Sequence, residues 1–237
     1  MNKIKEEMNK IQLVLSSVAM TLMIFTGCGD SNTTSSPAAS CEIKKSANTV
    51  TIGSDVWMTE NLNVDKFRNG DPIPQAKTYE EWFEAKSNGQ PVWCYLNNDA
   101  ANGEKYGKLY NWHAVSDPRG LAPEGWHIPS KDEWMRWESC LGTDVAGIKM
   151  KSTSGWEFDG NGTNESGFNG LAGGSVEGHE SSWAIITAGM YGAWWSSTHH
   201  EYEEEGTAYC FNLRGGDELL TNTWSLDHCL SVRCVRD

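Results

Sequence analysis

Two cysteines five positions apart, Cys229 and Cys234, stand in the closing stretch "SLDHCLSVRCVRD" at 225–237. Polar and apolar residues alternate there with a period of two, the pattern of a half-buried strand, so the two sulfurs should point to opposite faces. In an extended chain their Cα atoms lie about 16 Å apart, far outside the roughly 4.4–6.8 Å of a disulfide. Each thiol therefore finds another partner, or the chain bends into a thiol site of the kind that selects Cu(I). A second candidate is "EFDGNGTNES" at 157–166, where Asp159, Asn161, Thr163 and Glu165 carry alternate side-chain oxygens. That spacing suits calcium, although the remote bidentate Glu of an EF-hand is missing and a turn built by Gly and Asn is the other reading. In "HHEYEEEG" at 199–206, His199, His200 and Glu201 are of metal-ligating types, and an acidic loop tip explains them equally. Among the 12 tryptophans, Trp183, Trp194, Trp195 and Trp224 gather in the C-terminal third. Their faces can stack on sugar rings while polar neighbours bond the hydroxyls, or they can fill a core. There is no G-x-S-x-G elbow, no H-E-x-x-H helix and no Gly-rich phosphate loop after a strand.

The elements that must position these groups follow from caps and periodicity. "TYEEWFEAKSNG" places Thr78 at an N-cap with Glu81 three residues on, and "SKDEWMRWESCLG" repeats the device with Ser130 and Glu133. In the second helix Trp134, Trp137 and Leu141 form one apolar face, with Cys140 beside it. "TVTIGSDVWM", "QPVWCYL", "GAWWSST", "TAYCFNL" and "LSVRCVRD" read as strands. The fold class is therefore α+β: short antiparallel strands, two helices and an extensive loop region.

The N-terminus reads as an address. Lys3, Lys5 and Lys10 precede the apolar run Ile11 to Phe25, which is shorter than the roughly 20 residues of a membrane span. It meets "FTGC" at 25–28, similar to a bacterial lipobox, so residues 1–27 are expected to be a lipoprotein signal peptide and Cys28 the lipidated residue. Residues 28–47, polar and rich in Ser and Thr, read as a flexible tether, and residues 48–237 as one domain. With 19 basic and 32 acidic residues, a net charge of −13, the chain is not expected to bind nucleic acid. Lipidation of Cys28 leaves Cys41, Cys94, Cys140, Cys210, Cys229 and Cys234, an even set that favours disulfides in an exported protein.

Six segments then occur in an order that resembles a known family: "VTIGSDVWMTENLNV" (50–64), "WCYLNNDAANGEKYGKLYNWHAV" (93–115), "APEGWHIPSKDEW" (122–134), "GTNESGFNGLAGG" (162–174), "WWSST" (194–198) and "LSVRCVRD" (230–237). Together they look like the Fibrobacter succinogenes major paralogous domain of bacterial exported lipoproteins. The resemblance implies a C-type-lectin-like fold, shared with formylglycine-generating enzymes, and no common activity. The chain departs from the pattern at Gly103, where relatives often carry a cysteine, at Ala122, and in "LAGG" at 171–174. The resemblance assigns Trp57, Trp93, Trp112, Trp126 and Trp194 mainly to the core. It makes Cys234 a staple to Cys140 or Cys94, and Cys229 a partner of Cys210.

The expected function is that of a non-enzymatic binding protein, lipid-anchored in the cell envelope through the membrane-inserted lipid, that takes a polysaccharide or an envelope protein. Trp183, Trp195, Trp224, Tyr202, His199 and His228 are the expected ligand-binding residues. No cofactor is required, calcium at 159–165 being the one candidate. One alternative is a copper oxidase like the formylglycine-generating enzymes, using Cys229 and Cys234; the other is a purely structural envelope component.

Overall fold

The structure, a computed structural model, describes residues 41–179, 182–186, 188–200 and 206–237, with 178–179 and 182–186 described by their backbone. Tyr202 and Cys28, with residues 1–27 and most of the stretch read as a tether, lie outside these residues.

The chain begins with β1 (Ile43–Lys45), β2 (Thr49–Ile52) and β3 (Asp55–Met58). "TVTIGSDVWM" is thus a hairpin rather than one strand: Ile52 pairs with Asp55, and Gly53 supplies the positive φ of 61° that the tight turn needs. Next come α1 (Tyr79–Ser87), β4 (Trp93–Cys94), α2 (Ala100–Tyr106), β5 (Leu109–Tyr110), α3 (Trp112–Val115) and β6 (Trp126–His127). Then follow α4 (Lys131–Leu141), α5 (Ala146–Met150), β7 (Ser175–His179), β8 (Ser182–Ile186), β9 (Gly192–His200), β10 (Thr207–Leu213), β11 (Leu220–Ser225) and β12 (Val235–Arg236). The strands form antiparallel sheets in the orders β1-β2-β3-β12-β6, β11-β10-β9, β4-β5 and β7-β8. The fold is α+β, with three more short helices among the described residues than the two that the caps announce.

Both announced helices start on complete capping boxes, Thr78 with Glu81 and Ser130 with Glu133, which satisfy backbone N–H groups that a helix start leaves open. Trp134, Trp137 and Leu141 are buried, as their spacing requires. Glu133 does more than cap. Its other oxygen lies 2.8 Å from His127 Nε2, and His127 Nδ1 lies 2.8 Å from Asp237, so one imidazole ties α4 to the C-terminus.

The sheet β11-β10-β9 divides the core. On one face Trp194, Phe211 and Leu213 pack with Trp57, Trp134, Trp137 and Phe168. On the other, Ala193, Trp195, Ala208 and Cys210 pack with Trp93, Tyr110, Leu230, Val232 and Cys234. Alternate residues of β9 therefore enter different cores, and Gly192 through Ser196 are buried without a break. Trp195, expected at a binding surface, is fully buried and donates from Nε1 to the Tyr110 carbonyl at 2.7 Å. It is a packing residue, because the face that would have exposed it is covered by a second core.

At the centre stands Arg233, a fully buried cation. Its Nε and Nη2 donate to Asn61 Oδ1 at 3.0 and 2.7 Å, and Nη1 donates to the Met58 and Phe168 carbonyls at 3.1 and 2.6 Å. The guanidinium also lies 4.1 Å from the Phe168 ring centroid. Asn61 Oδ1 further accepts Trp194 Nε1 at 2.8 Å, while its Nδ2 donates to the Tyr106 carbonyl and Ser231 Oγ. Neutral oxygens thus take four of the five N–H donors of a charge that burial disfavours, and five distant segments are fastened at one point.

The disulfide pattern differs from the expected one. Cys41 is bonded to Cys140, while Cys94, Cys210, Cys229 and Cys234 are buried thiols. With Cys41 bonded to α4 and β1 paired to β2, the folded unit begins before residue 48, and the end of the stretch read as tether belongs to it. The extended segment after β11 pairs residue by residue with different strands, Cys229 with Val176, Leu230 with Tyr110 and Ser231 with Trp194. Only Val235–Arg236 is a regular strand because the partner changes at each step.

Candidate ligand site around Trp224

The turn after β11 is held from below by two helices. Trp112 at the start of α3 donates its backbone N–H to the Leu226 carbonyl at 2.9 Å, and Trp82 of α1 donates Nε1 to the Asp227 carbonyl at 3.0 Å. The Asp227 carboxylate lies 3.2 Å from Lys86 Nζ, 3.8 Å from His113 Nε2 and 3.1 Å from the Ser225 hydroxyl that donates to it. Burial alone would raise its pKa, but the His113, Lys86 and Ser225 interactions outweigh it and hold the group below the usual carboxylate range. A charged, anchored Asp227 fixes the turn, and the turn presents the residues on either side of it.

Those residues are Trp224 and His228, both half-buried. Trp224 stacks on Tyr191 with ring centroids 5.6 Å apart and planes 2° from parallel, and His228 meets the Trp224 ring edge-on at 5.1 Å. His228 Nε2 lies 3.1 Å from Glu177 Oε2. Burial lowers the His228 pKa despite the carboxylates of Glu177 and Asp227, so the ring is neutral near pH 7. A neutral ring that gives its Nε2 proton to Glu177 keeps a lone pair on Nδ1. That atom is buried and has no hydrogen-bond partner among the described residues.

Two more buried polar side chains stand on the strands β10 and β7. Asn212 lies on the β10 face of Ala208 and Cys210, and Ser175 lies on the β7 face of Glu177. Both are fully buried; Ser175 Oγ lacks a hydrogen-bond partner among the described residues, and the Asn212 amide has the Cys210 thiol as its polar neighbour. Burial is the main reason the Tyr191 pKa rises, and the Glu177 carboxylate adds a smaller share. Unpaired buried polar atoms cost about 1–3 kcal/mol each, so His228 Nδ1 beside the half-buried Trp224–Tyr191 pair is a place where a hydroxyl-bearing partner gains a bond.

Of the six residues expected to bind ligand, the structure brings Trp224 and His228 into contact. His199 is exposed and shares a cross-strand row with them, since Ala208 pairs with Trp224 on one side and His199 on the other; it packs on the Trp112 ring at 5.3 Å. Trp195 is in the core. Trp183 lies on β8 opposite Gly178, with its side chain outside the described residues, as all of Tyr202 is. Sequence reasoning missed Tyr191, Glu177, Asp227, Ser175 and Asn212. The alternation of Ser175, Val176 and Glu177 was the available signal for the last strand face, but "SVEGH" is too polar to stand out.

The two other chemical candidates take different forms. In the 157–166 loop Asn161 Oδ1 accepts the Trp156 N–H at 3.0 Å and Thr163 Oγ1 accepts the Glu165 N–H at 3.4 Å, so these oxygens shape their own turn. Among the described residues no group of three His, Cys, Asp or Glu side chains is placed to hold a metal. Cys229 and Cys234 do not converge: Cys229 packs with Val92 and Cys94, Cys234 with Tyr110 and Val232. Burial also pushes the Cys234 thiol up to about 12.

Fold and site define a mixed α+β domain whose central sheet is buried on both faces and whose β11 end carries an aromatic and imidazole cluster. The chain belongs to the Fibrobacter succinogenes major domain family, whose model matches residues 50–236. No curated protein and no solved structure matches it.

Proposed function

We propose that this is an exported, lipid-anchored, non-enzymatic binding protein of the bacterial envelope, with a C-type-lectin-like domain that binds polysaccharide at the Trp224 cluster. The carrying observation is the half-buried Trp224–Tyr191 stack beside the unpartnered His228 Nδ1. An aromatic face receives the C–H side of a pyranose, and an imidazole acceptor with neighbouring carboxylates receives its hydroxyls. A neutral His228 suits an uncharged polyol, and the net negative chain disfavours polyanions. The basic and apolar run up to Cys28 supports export and lipidation, and no described helix is long and apolar enough to cross a membrane. No cofactor enters this reading. The separate placement of Cys229 and Cys234 gives the copper-oxidase alternative no support.

The test is a glycan array with the mature protein, followed by titration of each hit against Trp224→Ala. Saturable binding lost in the variant, with an unchanged circular dichroism spectrum, is the expected result. Binding that survives the substitution moves the site elsewhere, and an envelope protein captured in place of any glycan replaces the ligand class. For the anchor, incorporation of labelled palmitate should vanish in Cys28→Ala.

A further inference from the structure

The four remaining thiols are not equivalent. Cys94 and Cys229 come from distant parts of the chain yet enter one core cluster, with Ala76, Trp82, Val92, Leu96, Leu109 and Val176 around them. The backbone accounts for the meeting. Cys94 pairs with Leu109 across β4-β5, Tyr110 of the same β5 pairs with Leu230, and Cys229 pairs with Val176 of β7. Tyr110, Trp93 and Leu230 therefore face one core, while Leu109, Cys94 and Cys229 face the other. Both residues are fully buried in that cluster, and the Cys229 thiol is the foremost cause that raises the Cys94 pKa, ahead of desolvation. Cys210 and Cys234 share a cluster too, but neither acts on the other: Cys210 is met by Asn212, and Cys234 lies near Arg233 and Arg68.

We propose that Cys94 and Cys229 form a second disulfide in the mature protein, joining β4 to the segment that follows the Trp224–His228 turn. The Cys41–Cys140 bond already marks the chain as one that folds under oxidising conditions. The chemistry is two successive exchanges with a disulfide RS–SR of the envelope or refolding medium. The thiolate of one cysteine attacks RS–SR, forming a mixed disulfide and releasing RS⁻; the second thiolate then displaces the remaining RS⁻ to close the protein bond. Two electrons pass from the protein sulfurs to RS–SR, and the two thiol protons end on two RSH. This exchange belongs to folding. Once buried, the Cys94 thiol is held protonated by its Cys229 neighbour and by desolvation, and protonated buried thiols exchange slowly. Chains folded in a reducing cytoplasm would therefore keep both thiols, and chains folded in an oxidising compartment would carry the bond. The inference is independent of which ligand the Trp224 cluster takes.

The test uses mature protein secreted through the envelope, in parallel with protein denatured, reduced and refolded in a mixture of oxidised and reduced glutathione. Free thiols are alkylated in denaturant before non-reducing digestion and mass spectrometry. A cross-linked peptide pair carrying Cys94 and Cys229 is expected in both samples, with Cys210 and Cys234 alkylated. Cys94→Ala should fold with Cys229 converted to an alkylated thiol, and Cys94→Ala/Cys229→Ala should unfold at lower denaturant than the doubly bridged protein. Alkylation of both Cys94 and Cys229 in samples that contain the Cys41–Cys140 peptide pair overturns the proposal. So does a bond from Cys229 to Cys210 or Cys234.

Discussion

The junction at Arg233 and the cluster at Trp224 are both built from aromatic rings and polar groups, yet they are finished differently. At Arg233 every nitrogen of the guanidinium reaches an oxygen, Asn61 uses both amide atoms, and the Phe168 and Trp194 rings beside them are fully buried. At Trp224 the rings are half-buried, and His228 Nδ1 has no hydrogen-bond partner among the described residues. Asn61, Trp194, Ser231 and Arg233 all lie within the segments that carry the family resemblance, whereas Tyr191, Glu177, Trp224 and His228 lie outside them. A saturated polar junction fixes one arrangement of the chain; an unsaturated one keeps bonding capacity for something else. Unpaired donors also occur in the packed core, at Nε1 of Trp57, Trp134 and Trp137, so the half-buried rings of Trp224 and Tyr191 beside His228, rather than missing bonds alone, set the proposed site apart.

The sharpest way to break the comparison is to unsaturate the first region. Asn61→Ala removes the acceptor of three N–H groups and leaves the buried guanidinium undercompensated, so unfolding free energy should fall by about 3–5 kcal/mol. Denaturant titration with an unchanged slope measures it, and a loss below about 1 kcal/mol would mean that water replaces Asn61 and that the junction is not closed. Next in size is Cys41→Ser, which opens a loop of sequence separation 99 and should cost about 2–5 kcal/mol. Glycan binding of the folded fraction should persist in both, because neither residue touches the Trp224 cluster.

In the second region the order of effects reverses. Trp224→Ala should weaken ligand binding at least tenfold, about 1.4 kcal/mol, while costing the fold about 0.5–1.5 kcal/mol of stacking with Tyr191. Isothermal titration and thermal melts on the same sample separate the two numbers. A variant that loses stability but binds normally would turn this cluster into a second structural junction.

What the sequence revealed and what it hid follow the range of the interactions. Capping boxes close over three residues, so Thr78 with Glu81 and Ser130 with Glu133 were legible, as was the apolar face of α4. Alternation around Cys229 and Cys234 correctly set the two sulfurs in different cores. Trp194 is in the core, as the family resemblance implied, but Trp195 was misplaced, because alternation shows that neighbours face opposite sides and is silent on whether both sides are covered. The Cys41–Cys140 bond was hidden by composition, since Cys41 sits at the end of a polar stretch that looked like linker. Asp227 gave no local signal at all; its partners Lys86 and His113 come from separate helices.

The smallest expected effect tests whether the ordered junctions extend to the domain's edge, at the His127 bridge. Burial disfavours the His127 cation, but the bonds to Glu133 and Asp237 outweigh it and raise the pKa. Burial likewise works against the Glu133 charge, while Ser130 and His127 bring its pKa below the ordinary value. A raised base stabilises fully below its unfolded pKa of about 6.5 and loses that contribution as pH climbs through the folded value. A lowered acid stabilises fully above about 4.3 and loses its contribution as pH falls through the folded value. The bridge should therefore be strongest between about pH 4.3 and 6.5. The His127 side chain is 40% exposed, so solvent screening keeps its share under about 1 kcal/mol. His127→Gln should flatten the alkaline limb of midpoint against pH. The acid limb should remain, because the Ser130 N–H still donates to Glu133 at 2.7 Å. An alkaline limb identical to that of the unsubstituted protein would leave Glu133 as a helix cap alone and detach the C-terminus from α4.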